Sequence, residues 1–420
     1  MMKGWCTLSA LLMSAWLAQA QRILIPMDER QTDHLKAYGV AYWVLTQGVD
    51  VDWLLNYRGG SFLTRDFPEL ERELRIRGVA YEKLTSAQAE QILAQIASED
   101  SNMEAIRLEK APRIAVYTPP HSLPWDDAVT LVLTYAEVPY DKVWDEEVLR
   151  GKLAEYDWLH LHHEDFTGQY SRFWALYRHM PWFVRQQRDQ EEMARKLGFA
   201  TVPELKKAIA RAIKEYVAAG GFLFAMCTAT ETLDIALAAE GIDIVPPELD
   251  GTPITPEAQQ KLDYGKTLAF QGFQVSLNPY ETEHSDIDVQ PPPALQNPLA
   301  DYFVLFEFSA KHDPVPTMLT QNHVNVIKGF MGQTTNFRKS RIKESVVILA
   351  EAPGRDEVRY LHGNYGRGTF TFYGGHDPED YQHFVGDPPT DLALHKNSPG
   401  YRLILNNILF PAARKKPQKT

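Results

Sequence analysis

Cysteine is nearly absent from this sequence of 420 residues, which contains only Cys6 and Cys227. The N-terminal segment MMKGWCTLSALLMSAWLAQA combines Lys3, an apolar run and a small-residue site at Ala18–Ala20, a pattern typical of a secretory signal peptide over residues 1–20. We therefore expect cleavage near Ala20 and an exported protein, periplasmic or extracellular. Cleavage removes Cys6, which excludes an internal disulfide. The remaining thiol in an oxidising compartment is either buried and inert or retained for its reactivity.

Long apolar runs and an excess of positive charge are also missing. No second apolar run is long enough to span a bilayer, so we expect no stable membrane insertion. The formal net charge is -12, with 43 Lys and Arg against 55 Asp and Glu, which disfavours nucleic acid as a partner. With 44% hydrophobic and 23% charged residues the chain is globular, and composition leaves its oligomeric state open.

The order of strand-like and helix-like segments predicts an α/β protein with two units. Residues 21–105 alternate between the two types, which predicts an N-terminal α/β unit of parallel strands covered by helices. In residues 111–420 the segments APRIAVYTPP, YDWLHLHH and GFLFAMC are buried-strand patterns separated by helical ones. They predict a doubly wound, mostly parallel, flavodoxin-like sheet that binds ligands at the carboxyl ends of its strands. The prolines of residues 250–313 predict a loop-rich insertion.

The retained thiol stands where the apolar run GGFLFAM stops and a helical pattern, TATETLDIALAAEG, begins. A side chain at such a strand-to-helix turn is held out above the sheet edge, and Ala225 and Ala229 are the small neighbours that the turn requires. A helix N-terminus favours the thiolate. We therefore predict that Cys227 is a nucleophile and that the Thr228 N–H donates to an oxyanion. The alternative is a small buried apolar residue.

A thiol nucleophile needs a base, and His376 in GGHDPE is the best-placed histidine. The strand-like segment RGTFTFY ends just before it, so His376 and Cys227 are expected at the same sheet edge. Asp377 and Glu379 are candidates for the acid that orients the imidazole. The alternative is a polar turn, because Gly-Gly and Asp-Pro are turn signals by themselves.

A histidine cluster follows the predicted strand YDWLHLHH. It contains His160, His162, His163, Glu164 and Asp165, all of which could bind zinc. On a strand, however, His160 and His162 share one face while His163 points to the other, so without a bend at most two of them meet one ion. We predict pocket lining by His163, Glu164 and Asp165 beside the thiol, with no metal and no cofactor.

The motifs AMCTAT and GGHDPE together resemble the class I glutamine amidotransferase-like superfamily, over about residues 111–410. Within it, LIPMDERQTDHLKAYGVAYWVL and YDWLHLHHEDFTGQY resemble a family of exported bacterial proteins often labelled asparagine synthetase B. The resemblance implies Cys227 as nucleophile, His376 as its histidine and Glu379 or Asp377 as the acid. This sequence differs from the superfamily at Pro378, the position two residues after the histidine where the superfamily usually has its glutamate.

These observations predict a thiol-dependent hydrolase or acyl transferase that acts on a small amide or peptide bond. Its partner would be a small-molecule or peptide substrate. Two alternatives remain open. One is a non-catalytic binding or scaffold protein on the same fold. The other is a metal-dependent hydrolase built on the cluster at His160–Asp165.

Overall fold

Two β-sheets organise the chain, which the computed structural model describes over residues 21–120, 124–313 and 324–413. The strands are β1 (Gln21–Ile25), β2 (Val51–Leu55), β3 (Ser61–Arg65), β4 (Glu82–Thr85), β5 (Glu104–Leu108), β6 (Ile114–Tyr117), β7 (Asp141–Val143), β8 (Trp158–Leu161), β9 (Phe222–Met226), β10 (Tyr302–Leu305), β11 (Val326–Lys328), β12 (Val347–Glu351), β13 (Val358–Tyr365) and β14 (Gly368–Tyr373). The α-helices are α1 (His34–Thr46), α2 (Pro68–Arg77), α3 (Ser86–Ala97), α4 (Ala128–Tyr135), α5 (Asp145–Leu149), α6 (Trp174–Tyr177), α7 (Pro181–Lys196), α8 (Val202–Ala218), α9 (Thr228–Ala238), α10 (Pro247–Asp250) and α11 (Pro399–Leu409).

The first sheet has the order β4-β1-β3-β2-β5, and its neighbouring strands are antiparallel. The parallel arrangement predicted for this unit is therefore wrong. The segment SFLTR, which the alternation of patterns does not identify, forms β3. A turn at Asn56–Gly60 joins it to β2, and this turn is too short for the crossover that parallel strands require. The polar stretch after residue 98 also contains β5, which crosses the predicted boundary at residue 105 and pairs with β2.

The second sheet has the order β11-β10-β12-β13-β14-β9-β8-β6-β7. The strands from β14 to β7 are parallel neighbours, whereas those from β14 to β11 are antiparallel neighbours. The α/β class is confirmed, but the sheet is mixed rather than mostly parallel. The reason is that β12, β13 and β14 follow one another through short turns, and short turns produce antiparallel pairs.

Register places three strand ends at one edge of this sheet. Met226, the last residue of β9, pairs with Tyr373, the last residue of β14, and Leu161 at the end of β8 pairs with Ala225. These strands are parallel, so their carboxyl ends open on the same side. The segments that follow β8, β9 and β14 therefore meet there.

The N-terminal unit packs closely on the second sheet. Buried apolar residues of both units form one continuous core. Helices α1 and α4 approach so closely that a Cβ added at Gly39 would lie 1.8 Å from the carbonyl oxygen of Ala136. The Tyr38 hydroxyl donates to Asn406 Oδ1 in α11 at 2.6 Å. The two units thus share their interior.

Residues 250–313 contain short 3-10 helices and isolated bridges with few regular elements. Asp234 in α9 fastens this segment to the second sheet, because its carboxylate accepts the backbone N–H groups of Leu268, Ala269 and Phe270 at 2.6, 2.7 and 2.8 Å. In the described part of the chain, none of the helices has both the length and the apolar character needed to cross a bilayer.

Candidate functional site

Cys227 forms a strained turn between β9 and α9. Its backbone has φ 50° and ψ -138°, a conformation that non-glycine residues adopt rarely and at a cost of about 1–3 kcal/mol. Two hydrogen bonds hold the turn: the Ala229 N–H donates to the His162 carbonyl at 2.9 Å, and the Thr230 N–H donates to the Cys227 carbonyl at 3.1 Å. As the first helical residue, Thr228 has an N–H with no acceptor in the helix's own ladder. This is the geometry expected of a nucleophile elbow.

His376 reaches the thiol from the adjacent strand end. After β14 the chain turns through Gly374 and Gly375, and Gly375 has φ 90°. A Cβ on Gly374 would lie 2.4 Å from the Thr335 carbonyl oxygen, so the backbone passes where no side chain fits. The thiol sulfur and a ring nitrogen of His376 lie within 4.8 Å of each other. Both residues are buried, with Cys227 2% and His376 6% exposed.

The carboxylate beside His376 is Asp126, which the sequence patterns do not single out. Asp126 Oδ1 lies 3.5 Å from His376 Nε2 and 3.2 Å from His383 Nε2. The two candidate acids have other partners: Asp377 accepts from the Tyr401 hydroxyl at 2.7 Å, and Glu379 lies 3.1 Å from His395 Nδ1.

The Asp-Pro turn explains this difference. Asp377 Oδ1 accepts the Glu379 N–H at 2.8 Å, so the turn itself holds the Asp377 carboxylate, while His395 pairs with that of Glu379. Asp126 comes instead from the loop before α4. The sequence signal that could have identified it is the pair Asp126-Asp127, because Asp127 caps α4 through the Thr130 N–H at 2.8 Å.

The charges of Cys227, His376 and Asp126 stabilise one another. Burial raises the pKa of the Cys227 thiol, but the neighbouring His376 imidazolium and a hydrogen bond from the Thr334 backbone outweigh it, so the pKa falls below its ordinary value. Burial lowers the pKa of His376, yet the Asp126 carboxylate and the Cys227 thiolate raise it to about 10. Burial likewise opposes ionisation of Asp126, and His376 nevertheless lowers its pKa. The arrangement favours a thiolate–imidazolium pair.

The three histidines of the cluster have different surroundings. His160 belongs to the core: its Nε2 lies 3.0 Å from Asp127 Oδ2 and its ring stacks on Trp158. His162 and His163 follow the end of β8, where the backbone leaves strand geometry, and their rings stack with centroids 3.8 Å apart. His163 lies against His376, with ring centroids 4.6 Å apart. The bend therefore brings His163 to the thiol together with His162.

Glu164 and Asp165, predicted to line the space beside the thiol, are buried and interact with other groups. Burial raises the pKa of Glu164 to about 8; the Lys206 ammonium opposes this shift and the Asp145 carboxylate adds to it. Asp165 folds the loop at 167–171. It accepts the N–H groups of residues 167, 169 and 171 at 2.8, 3.0 and 2.8 Å. It also lies 3.3 Å from His284 Nε2.

Another buried acid, Glu231, lies one helical turn beyond Cys227. It accepts hydrogen bonds from the hydroxyls of Ser285 at 2.7 Å and Thr334 at 2.8 Å. Burial is the main cause that raises its pKa to about 8, so it favours the neutral acid. Because the Thr334 N–H also interacts with the Cys227 sulfur, Glu231 helps to hold the loop that supports the thiolate.

Loop residues from three parts of the chain interact on the thiol side of the sheet edge. Gln333 accepts from the Thr228 hydroxyl at 2.8 Å and donates to the Ser171 carbonyl. Buried Arg172 donates from Nε to the Glu281 carbonyl at 3.0 Å, and from Nη1 to Gln169 Oε1 at 2.7 Å. Cys227 at this edge is only 2% exposed.

Comparison with known proteins gives only distant likenesses. No family model and no curated protein matches the chain. Among solved structures it is similar to the cytoplasmic protein STM3548 from Salmonella typhimurium, with 12% identity and a TM-score of 0.36 over 72% of this chain and 100% of that one. It is also similar to the cytoplasmic protein STM1381 from Salmonella typhimurium LT2, with 14% identity and a TM-score of 0.30 over 66% of this chain and 90% of that one. A third similar structure is Gan42B, a GH42 β-galactosidase from G. stearothermophilus, with 12% identity and a TM-score of 0.30 over 64% of this chain and 28% of that one. Likenesses this low carry no argument about fold or activity.

The prediction of export finds no support in this comparison and is withdrawn, since both similar Salmonella proteins are named cytoplasmic proteins. It rested on the composition of a short N-terminal stretch, with no packing or site geometry behind it. The signal peptide expected in residues 1–20 lies outside the described residues. The role of Cys227 is therefore inferred from its geometry alone and does not depend on a periplasmic or extracellular location.

Proposed function

We propose that the protein is a thiol-dependent hydrolase or acyl transferase that acts on a small amide or peptide bond. The observation that carries the proposal is the strained Cys227 at the strand-to-helix turn, beside a His376 imidazole that Asp126 holds. A strained backbone at one residue is retained when the surrounding structure fixes it, and such residues cluster at active sites. The Ala229 and Thr230 N–H groups supply the hydrogen bonds that fix the Cys227 turn.

The fold supports the same proposal. In chain order the parallel strands are β6, β7, β8, β9 and β14, and their order across the sheet is β7-β6-β8-β9-β14. This is the 2-1-3-4-5 order of the flavodoxin-like doubly wound sheet, in which ligands bind at the carboxyl ends of the strands. We therefore assign this half to a core that resembles the class I glutamine amidotransferase-like superfamily. Asp126 takes the place of the acid that the superfamily draws from the segment after its histidine.

The proposed reaction has two steps. Cys227 Sγ, as thiolate, attacks the substrate carbonyl carbon, and the Thr228 N–H donates to the oxyanion. The C–N bond then breaks as the His376 imidazolium gives its proton to the leaving amine, and a thioester remains on Cys227. Water or another nucleophile attacks the thioester while His376 takes its proton. The C–S bond breaks, and the thiolate–imidazolium pair is restored. Asp126 orients the imidazole and stabilises its charge throughout.

One observation favours a different class. The Cys227 side chain is only 2% exposed, as expected of a thiol that serves packing in a binding or scaffold protein. The two functions differ in whether a small electrophile can form a covalent bond with the sulfur of the folded protein.

A trapping experiment tests the proposal. The full chain, kept in chelator, is mixed with p-nitrophenyl acetate, and acylation is followed by intact mass and peptide mapping. We expect one acetyl group on Cys227, none in Cys227→Ser, and acylation at least tenfold slower in His376→Gln. His395→Gln is the matched histidine control, because His395 pairs with Glu379 away from the thiol. Equal acylation of the wild type and Cys227→Ser would reject the thiol mechanism.

A further inference from the structure

Four potential metal ligands converge at the sheet edge. One ligand atom from each of His162, His163, Cys227 and His376 lies within 4.8 Å of all the others. In a tetrahedral zinc site with bonds of about 2.0–2.3 Å, ligand atoms are separated by roughly 3.3–3.8 Å. Shifts of about 1 Å therefore convert the observed arrangement into such a site. The ligands follow three adjacent strand ends, which fixes them on a rigid part of the fold.

Each of the three imidazole rings has a carboxylate or carbonyl oxygen close to one of its nitrogens. His162 Nδ1 lies 3.3 Å from Asp127 Oδ2, His163 Nε2 lies 2.6 Å from the Asp126 carbonyl oxygen, and His376 Nε2 lies 3.5 Å from Asp126 Oδ1. In each ring an oxygen lies beside one nitrogen, so the other nitrogen is the one that would bind an ion. Metal-binding histidines characteristically have an outer carboxylate or carbonyl partner of this kind.

An independent observation points to a ligand. His162 is 1% exposed, and its Nε2 has no hydrogen-bond partner within the described residues. A buried polar atom without a partner costs free energy, so such an atom calls for an explanation, and a bound ion is one of them. Coordination of an ion supplies the missing interaction.

We propose that His162, His163, Cys227 and His376 form a site for a divalent transition-metal ion of the zinc class. One thiolate and three imidazoles suit zinc and disfavour magnesium or calcium, which prefer oxygen ligands. Binding releases to solvent the proton of the thiolate–imidazolium pair, so that the Cys227 thiolate and a neutral His376 imidazole both bind the ion. The site goes beyond the proposed hydrolase, and metal and substrate compete for the same thiol.

Cobalt(II) tests the site on the wild-type full chain. After removal of metal by chelator, one equivalent of Co²⁺ should produce a thiolate-to-cobalt charge-transfer band and the intense visible bands of tetrahedral cobalt, and Zn²⁺ should abolish both. Cys227→Ser should lose the charge-transfer band. His162→Gln and His163→Gln should weaken Zn²⁺ binding by at least about tenfold in competition with a chromophoric chelator. His395→Gln, a histidine outside the cluster, should bind Zn²⁺ like the wild type.

Absence of the charge-transfer band in wild type overturns the proposal and requires no variant to fold. Zn²⁺ affinity that is the same in the wild type and His162→Gln, both folded by circular dichroism, also overturns it. No substrate enters these measurements. A protein that binds Zn²⁺ but is never acylated by the ester therefore refutes the hydrolase and leaves the metal site standing. A protein that is acylated by the ester but does not bind Zn²⁺ refutes the metal site and leaves the hydrolase standing.

Discussion

Replacing Asp126 by Asn should weaken the thiolate–imidazolium pair. The substitution keeps the size of the side chain but removes the negative charge 3.5 Å from His376 Nε2. The Asp126 and His376 side chains are 7% and 8% exposed, so solvent screens this interaction little. Without the carboxylate the pKa of His376 falls, and the proton shared with Cys227 returns to the sulfur.

The expected size follows from the geometry. A hydrogen bond to a charged group contributes about 1.5–3 kcal/mol. The 3.5 Å separation exceeds the usual range, so the lower end applies. A change of about 1.4 kcal/mol shifts an equilibrium roughly tenfold. The ion pair should therefore become about tenfold less populated relative to the neutral thiol–imidazole pair.

Alkylation by iodoacetamide at pH 7, in chelator and with metal removed, measures this population. We expect Asp126→Asn to react up to about tenfold more slowly than the wild type. Glu379→Gln should react at the wild-type rate, because Glu379 contacts His395. Unchanged alkylation in Asp126→Asn, or equal slowing in both variants, would refute the role given to Asp126.

Three further predictions test the surroundings of the site. A Cβ at Gly332 would lie 2.8 Å from the His376 backbone nitrogen, so Gly332→Ala should lower the free energy of unfolding by about 1–3 kcal/mol and slow alkylation. Asp234→Ala leaves the N–H groups of 268–270 unpaired and should lower the free energy of unfolding by about 3 kcal/mol in urea titrations. Burial opposes ionisation of Asp165, yet its partners lower its pKa to about 2. Its charged form therefore stabilises the fold above about pH 4, and the stability advantage over Asp165→Asn should shrink as pH falls towards 2. A stability difference that is the same at pH 6 and pH 2 would contradict this.

The sequence predicted the two central residues of the site because each has a local signal. An apolar strand followed directly by a helix pattern places Cys227 at a turn, and the strand before the glycine pair places His376 at the neighbouring edge. Both signals depend on short-range patterning, which β9, α9 and β14 obey. The coarse α/β class follows from the same patterns.

What the sequence could not supply depends on contacts between distant parts of the chain. Asp126 and His376 are 250 residues apart, and nothing near Asp126 marks it beyond a helix cap. The bend after β8, which brings His163 beside His162, contradicts the strand alternation used to separate them. The antiparallel N-terminal sheet was missed because the short strand β3 lies between a turn and a helix, so the apparent alternation was incomplete.

Alkylation of Cys227 as a function of pH is the sharpest test of whether this residue is an activated nucleophile. The measurement uses the folded full chain in chelator, with iodoacetamide as probe and intact mass as readout. We predict half-maximal reactivity below the value of about 8.5 for free cysteine, and a shift upwards in His376→Gln. A thiol that reacts only after unfolding, or a titration that His376→Gln leaves unchanged, would show that Cys227 is not activated.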